Sequence, residues 1–447
     1  MSEMARLTRG SIRGHLVSQT TPMVLGVAAL MSIGLVDAYF IGQLGPTQLA
    51  AISFIFPITV ALTSMGVGVM VGINSVVARA LGEGRDERAE ELANLGIAFA
   101  FALGIAMGLG VFAAQNWLFG LMNADRETLP FIREYMTPFA IGFPLLMVLM
   151  GVNGTLRGQG EARKTSYVSF TYAAANWVLD PLLITGALGF EGFGVAGAAY
   201  ATLVGWAFAI ALGLWLIRGT PLRFDPRHVL RAEDRRECVK SLSRVAGPAA
   251  FSNSINPIGL SVLTALIAIE GQSAVAGFGA AGRLQSFAVV PLLGLSGSIG
   301  AIVGQNWGAK QADRAREAMR YAFAFCLAYG LATAIVLFAF ADNLASLFTD
   351  DPAVIEQFSL YLAIAAWGYG GFGLLITANG ILNAVDRAGL ALLQSAARVF
   401  LVMLPIAWLL RARFGEHAIY GAELVANLAG GALAALIAWR VLARRPD

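Results

Sequence analysis

The chain reads as an all-α polytopic membrane protein, with twelve transmembrane helices in two six-helix bundles related by a pseudo-two-fold axis along the membrane normal. Three observations predict this: an apolar composition, twelve apolar runs of spanning length, and a duplication of the first half in the second. Hydrophobic residues make up 57% of the 447 residues and charged residues 13%, with a mean hydropathy of +0.69, far from the profile of a soluble domain. The net charge of +3 sits in short loops, where it reports topology, and no nucleic-acid partner is expected. Cys238 and Cys326 provide no disulfide framework, and His15, His228 and His417 lack metal-ligand spacing. The GEGR at 82–85 has neither the lysine nor the preceding strand of a phosphate loop. Nothing else suggests a cofactor or a catalytic constellation, so an enzyme is not expected.

A bilayer core needs roughly 20 residues of helix. In chain order the spans fall at 16–42, 48–79, 91–115, 128–156, 162–188, 192–217, 242–269, 273–306, 314–341, 353–382, 387–411 and 417–443. Before the first run, Arg6, Arg9 and Arg13 precede no small-residue cleavage site, so it is expected to be a retained span. Basic residues then mark alternate loops: Arg79, Arg85 and Arg88; Arg157, Arg163 and Lys164; Arg218 to Arg244; Lys310, Arg314 and Arg316; Arg387; Arg444 and Arg445. The positive-inside rule puts these loops and both termini in the cytoplasm. Arg411 and Arg413 break the pattern on the other side.

The halves match without gaps. Pro22 pairs with Pro248, an offset of 226 (248 minus 22), and the same offset pairs Gly45 with Gly271, Gly82 with Gly308, Arg88 with Arg314, Tyr135 with Tyr361 and Asn153 with Asn379. Six helices per half bring both halves in from the same side, giving parallel repeats. The predicted division is an N-lobe at 1–217, a cytoplasmic linker at 218–241 and a C-lobe at 242–447.

Polar residues present in only one half are candidates for function. Asp37 in the first helix pairs with Leu263; in the fifth, where the register slips by two, Asn176 meets Phe400 and Asp180 meets Leu404. Asn176 and Asp180 are one turn apart on one helix face. Pro181 follows and deprives the Trp177 carbonyl of its helical donor. Asp37 and Asp180 fall roughly 8 to 12 Å below the outer surface at 1.5 Å per residue, and Thr202 lies at nearly the same level. Carboxylates in an apolar span are expensive and usually face a cavity where they work. Oxygens of this kind suit a proton or a sodium ion, and Pro22 supplies a bend in the first helix through which ion binding could act.

Weaker candidates follow. Arg283, whose repeat partner is Pro57, is expected either to pair with Glu270 or Glu423 or to line a C-lobe cavity. Glu423, near the outer side of the twelfth helix, is expected to be either another polar contact or a partner of Arg398 or Arg283. Asn153 and Asn379 read as interhelical hydrogen bonds, with Asn153 also a candidate cavity group. Tyr39, Phe54, Phe56, Phe143 and the methionines at 31, 65, 70, 147 and 150 are material for an adaptable apolar pocket and equally for ordinary packing. Asp125 and Asp351 read as helix caps or as solvated loop charges.

The run PMVLGVAALMSIGLVDAYFIGQLGPTQLAAISF, then VARALGEGRDERAEE, and PLLGLSGSIGAIVGQNWGAKQADRAREA in the second half resemble the multidrug and toxic compound extrusion family along the whole chain. NWVLDP at 176–181 and GVAGAAYAT at 194–202 are most similar to its DinF-like branch. That resemblance implies an N-lobe cation site made by Asp37, Asn176, Asp180 and Thr202, holding H+ or Na+. It also implies export of amphipathic, cationic organic compounds by cation antiport, by a monomer in the plasma (inner) membrane. The NorM-like branch has acidic residues deep in helices 7 and 10, where this chain carries Asn253, Asn256, Asn379 and Asn383. Rival readings are a lipid-linked saccharide flippase, which would need a basic cavity for which only Arg283 is at hand, and a passive channel, against which the unlike lobes argue.

Overall fold

The computed structural model describes residues 4–122, 127–186, 189, 191–220, 222, 224 and 235–444, whose regular secondary structure is all helical, with no strand among them. The spans are α1 Ile12–Leu44, α2 Pro46–Gly82, α3 Asp86–Leu121, α4 Leu129–Gly158, α5 Ala162–Asp180, α6 Val195–Arg218, α7 Arg235–Ile267, α8 Gln272–Ala288 with Val290–Gly308, α9 Ala312–Ala339, α10 Pro352–Ala365 with Tyr369–Ala384, α11 Ala388–Ala396 with Leu404–Phe414, and α12 Glu416–Ala443. Among the described residues ten helices are long and apolar enough to cross a membrane, and the two pieces of α8 form an eleventh span bent by 43°. The remaining helix, α5, carries Asn176, Asp180 and several hydroxyls, and its polarity is that of a helix wrapped by α1 and α6.

Local chemistry explains the boundaries. The Ser11 hydroxyl accepts from the Gly14 amide at 3.3 Å and starts α1. Gly45 alone joins α1 to α2 at φ 139°, and its repeat partner Gly271 turns α7 into α8 at φ 135°, a conformation that glycine adopts without strain. Asp351 caps α10 through the Ala353 amide at 2.9 Å, as expected, whereas Asp125 lies outside the described residues. Half of the expected linker also does, but α7 begins at Arg235, so the last part of 218–241 is helical. Span eight was expected to be continuous; it breaks beside Pro291, which has no amide hydrogen to donate back. Residues Pro181–Thr185 and Ala397–Met403 adopt π-helical turns beside the matched prolines Pro181 and Pro405. Arg411, out of place by loop charge, is matched by Glu270 at 3.5 Å.

One apolar core fills the N-lobe and reaches Cys238, Leu242 and Ala246 at the start of α7. A second fills the half of the C-lobe nearer the basic loops and takes in Leu7, Ile12 and Leu16; a third fills its other half. Each lobe thus lends its first helix to the other on the basic side.

The contacts between lobes come in pairs related by the repeat. A Cβ at Gly68 of α2 would lie 2.6 Å from the Ala250 amide nitrogen of α7, and one at Gly294 of α8 would lie 2.9 Å from the Val24 nitrogen of α1. Nearer the basic surface, Arg79 donates to the Ala384 carbonyl at 3.0 Å, and Gln305, its repeat partner, donates to the Gly158 carbonyl at 2.9 Å. Arg79 and Arg244 also reach Asp386, at 3.7 and 3.4 Å. Toward the acidic side, Gly34 and Gly42 of α1, Gly271 at the turn into α8, and Gly279 and Gly282 of α8 have nothing within 4 Å of a built Cβ. The lobes are therefore latched at the basic side and splay into a cleft at the other.

Candidate cation site and cargo cleft

A cavity of about 360 Å³ opens within the N-lobe between α1, α2, α4, α5 and α6. Asp37 enters it from α1, Thr59 from α2, Tyr135 and Asn153 from α4, Tyr172 from α5 and Trp206 from α6. Asp37 is partly exposed to this space, whereas Asn176 and Asp180 are fully buried behind it and Thr202 nearly so, at 4%.

Asp37 and Asp180 face one another closely enough for their carboxyls to interact directly. Both oxygens of Asp180 and Oδ1 of Asp37 find no hydrogen-bond donor among the described residues. Next to them, Asn176 Nδ2 donates to the Tyr172 carbonyl one turn back at 2.8 Å, which leaves Oδ1 turned to α6, where the Thr202 hydroxyl donates to it at 3.4 Å. Gly205 makes this possible, since a Cβ there would stand 2.6 Å from Asn176 Nδ2. The four expected residues are thus brought together by three helices. Two carboxylates, an amide oxygen and a hydroxyl form an oxygen-only donor set that suits a hard cation such as Na+, and a single proton shared by the carboxyls meets the same need.

The other candidates divide. Pro22 lies within an unbroken α1, and the Ser166 hydroxyl of α5 donates to its carbonyl, tying the two site-bearing helices together. Asn153 faces the cavity with Oδ1 unpartnered among the described residues, while its repeat partner Asn379 forms interhelical bonds to Ser395 and Gln394 at 2.9 and 2.7 Å. Phe56 and Met150 line the cavity, but Phe143 and Met147 are core, and Tyr39 is 65% exposed outside it, against Phe40.

The expected pairing of Arg283 with Glu270 or Glu423 does not occur: Glu270 takes Arg411, and Glu423 is held by Gln285 and Tyr361. Arg283 instead lies exposed on α8, beside the open positions at Gly279 and Gly282, with no ion pair among the described residues. Arg398 donates to Asn256 at 2.8 Å. Tyr135, Tyr172 and Trp206 were not singled out from sequence, because aromatics in apolar helices read as packing; the usable signals were the turn between Tyr172 and Asn176 and the recurrence of Tyr135 as Tyr361.

Comparison with known proteins agrees with this architecture. The sequence profile of the MatE family matches twice, over residues 22–182 and 248–409, once in each repeat. The chain is similar to a FAD transporter of Shewanella oneidensis, 35% identical with 91% of this chain and 90% of that protein covered. It is 25% identical to the probable multidrug resistance protein YoeA of Bacillus subtilis, over 85% and 83% of the two chains. The fold superposes on the Vibrio cholerae MATE transporter VcmN in its bent form with a TM-score of 0.90, at 28% identity and with 97% of each chain covered. With a duplicated profile, a full-length relative above 30% identity and a shared twelve-helix fold, the chain belongs to the multidrug and toxic compound extrusion (MatE) family of membrane transporters.

Proposed function

We propose that the chain is a secondary active exporter that couples entry of H+ or Na+ to release of an organic compound through alternating access of its lobes. The observation that carries this reading is the facing pair Asp37 and Asp180, with three oxygens that no donor among the described residues closes. Two ionised carboxylates there would each bear a desolvation penalty of several kcal/mol, on the order of that for other buried ions. A proton or a sodium ion between them removes most of it. The ion enters past Asp37, which meets the cavity, and reaches the sealed Asp180 and Asn176. Because α1 carries Asp37 toward one end and touches α8 at Val24 toward the other, ion occupancy bears on the contact between lobes. These four residues also favour placement in the DinF-like branch.

With basic loops in the cytoplasm, both termini are cytoplasmic, the protein acts as a monomer in the plasma (inner) membrane, and the cleft opens outward. Inward movement of the ion then gains roughly 2.3 kcal/mol per charge per 100 mV of potential. For the cargo, the cavity's aromatic lining and multidrug relatives such as YoeA favour amphipathic organic cations. A second reading, a flavin dinucleotide, is favoured by Arg283, an exposed guanidinium with no ion pair among the described residues that suits a phosphate, and by the Shewanella relative.

Efflux from proteoliposomes under separately imposed proton and sodium gradients tests both levels, with a cationic dye and a flavin dinucleotide as cargoes. One gradient is expected to drive export in wild type, and Asp37→Asn and Asp180→Asn each to abolish it while the protein still elutes as a folded species. Wild-type rates in either variant would rule out the coupling scheme; Arg283→Gln impairs only the dinucleotide if the second reading holds.

A further inference from the structure

The C-lobe carries a buried acid outside the site above. Glu423 on α12 is 2% exposed and sits in a ring with Gln285 of α8 and Tyr361 of α10. Gln285 Nε2 lies 3.0 Å from Glu423 Oε1, the Tyr361 hydroxyl 2.9 Å from Glu423 Oε2, and the same hydroxyl 2.6 Å from Gln285 Oε1. Three close contacts need three hydrogens. The tyrosine supplies one, and the amide directs one into the ring whichever way it is turned. An ionised carboxylate supplies none and would leave two oxygens in contact with no hydrogen between them. A carboxylic acid closes the ring: Glu423 donates to Tyr361, Tyr361 to Gln285, and Gln285 back to Glu423.

The ring stands where the repeat places the N-lobe cavity, because Tyr361 matches Tyr135 and Gln285 matches Thr59, both of which line that cavity. The charged and titratable groups facing Glu423 are Arg398 from α11, Tyr361 and Tyr369 from α10, and Tyr420 from α12 itself, stacked edge-on against Tyr361. The Tyr369 hydroxyl and Arg398 Nε are buried and have no hydrogen-bond partner among the described residues. They are donors held in reserve for an ionised Glu423. We infer that the C-lobe holds a second proton-binding site, in which Glu423 carries the proton inside the Gln285–Tyr361 ring and Arg398 balances the carboxylate once the proton leaves. The proton departs to water along half-buried Gln285; only the acid's O–H bond is broken covalently, and the ring's hydrogen bonds rearrange so that Tyr361 donates to the carboxylate left beside the guanidinium.

The reading does not depend on the proposed transport activity, and infrared difference spectroscopy of the purified full chain over a pH series tests it without flux. A protonated-carboxyl C=O band is expected in wild type at neutral pH, absent in Glu423→Gln and retained in an Asp37→Asn, Asp180→Asn double variant. In Arg398→Gln the band should persist to more alkaline pH than in wild type, since the balancing charge is gone. Tyr361→Phe, which opens the ring, should shift the band toward a weaker hydrogen bond, and it serves if Glu423→Gln does not fold. A spectrum with no band sensitive to Glu423 or Tyr361, or with a band indifferent to Arg398, would overturn the inference.

Discussion

Asn176 depends on a side chain that is missing. Gly205 leaves the space its amide occupies, so Gly205→Val is expected to turn Asn176 away from Asp180 and cost about 1–3 kcal/mol, as overpacking of a buried site does. Coupled efflux should fall at least about ten-fold with the protein still folded, which transport and thermal unfolding of the same preparation would show. Thr202→Val removes the 3.4 Å bond to Asn176 and one neutral oxygen of the site while leaving both carboxylates, and should weaken ion dependence less, seen as a higher half-saturating ion concentration. Asp37, Asn176 and Asp180 were legible in the sequence because polar groups in an apolar helix need a reason. The fate of Arg283 was not: the rotation of α8 about its axis decides whether it meets Glu423 or the cleft, and helical spacing does not fix that rotation. Nor was Glu423 recognised as the acid of the second lobe, since it comes from α12 rather than from the helices that correspond to α1 and α5.

At the scale of elements, the paired glycines set how closely the lobes approach. Gly68→Leu would drive a side chain into the Ala250 backbone and push α2 away from α7. Cys238, buried at the base of α7 against the N-lobe core, is a native reporter of that junction, while Cys326 is buried inside the C-lobe and can be replaced by serine. Thiol labelling of Cys238 should speed up by about ten-fold or more in Gly68→Leu, which corresponds to roughly 1.4 kcal/mol of population shift toward opening at the basic side. Span order and the repeat were readable from hydropathy and from the constant offset. The break in α8 was less so, because Pro57 in the matching helix leaves α2 continuous; whether a proline interrupts a helix depends on its neighbours.

For the whole molecule, the balance between access states rests on the bonds at the basic side. Arg79 there contributes charge-assisted hydrogen bonds worth about 1.5–3 kcal/mol each. Arg79→Ala should therefore move the equilibrium toward opening at that side by at least about ten-fold, seen as faster Cys238 labelling and slower export. Arg79→Gln copies its partner Gln305 and should recover much of the closure. These two bonds flank a single axis perpendicular to the membrane, so half a turn of the molecule brings the open mouth back onto itself. The opposite shape is consequently not stored in the other half for exchange, as it would be in an inverted repeat; both halves must tilt together. A chain with one bond cut keeps the other as a fulcrum and should rock lopsidedly, which makes the cost of cutting both differ from the sum of the two single losses.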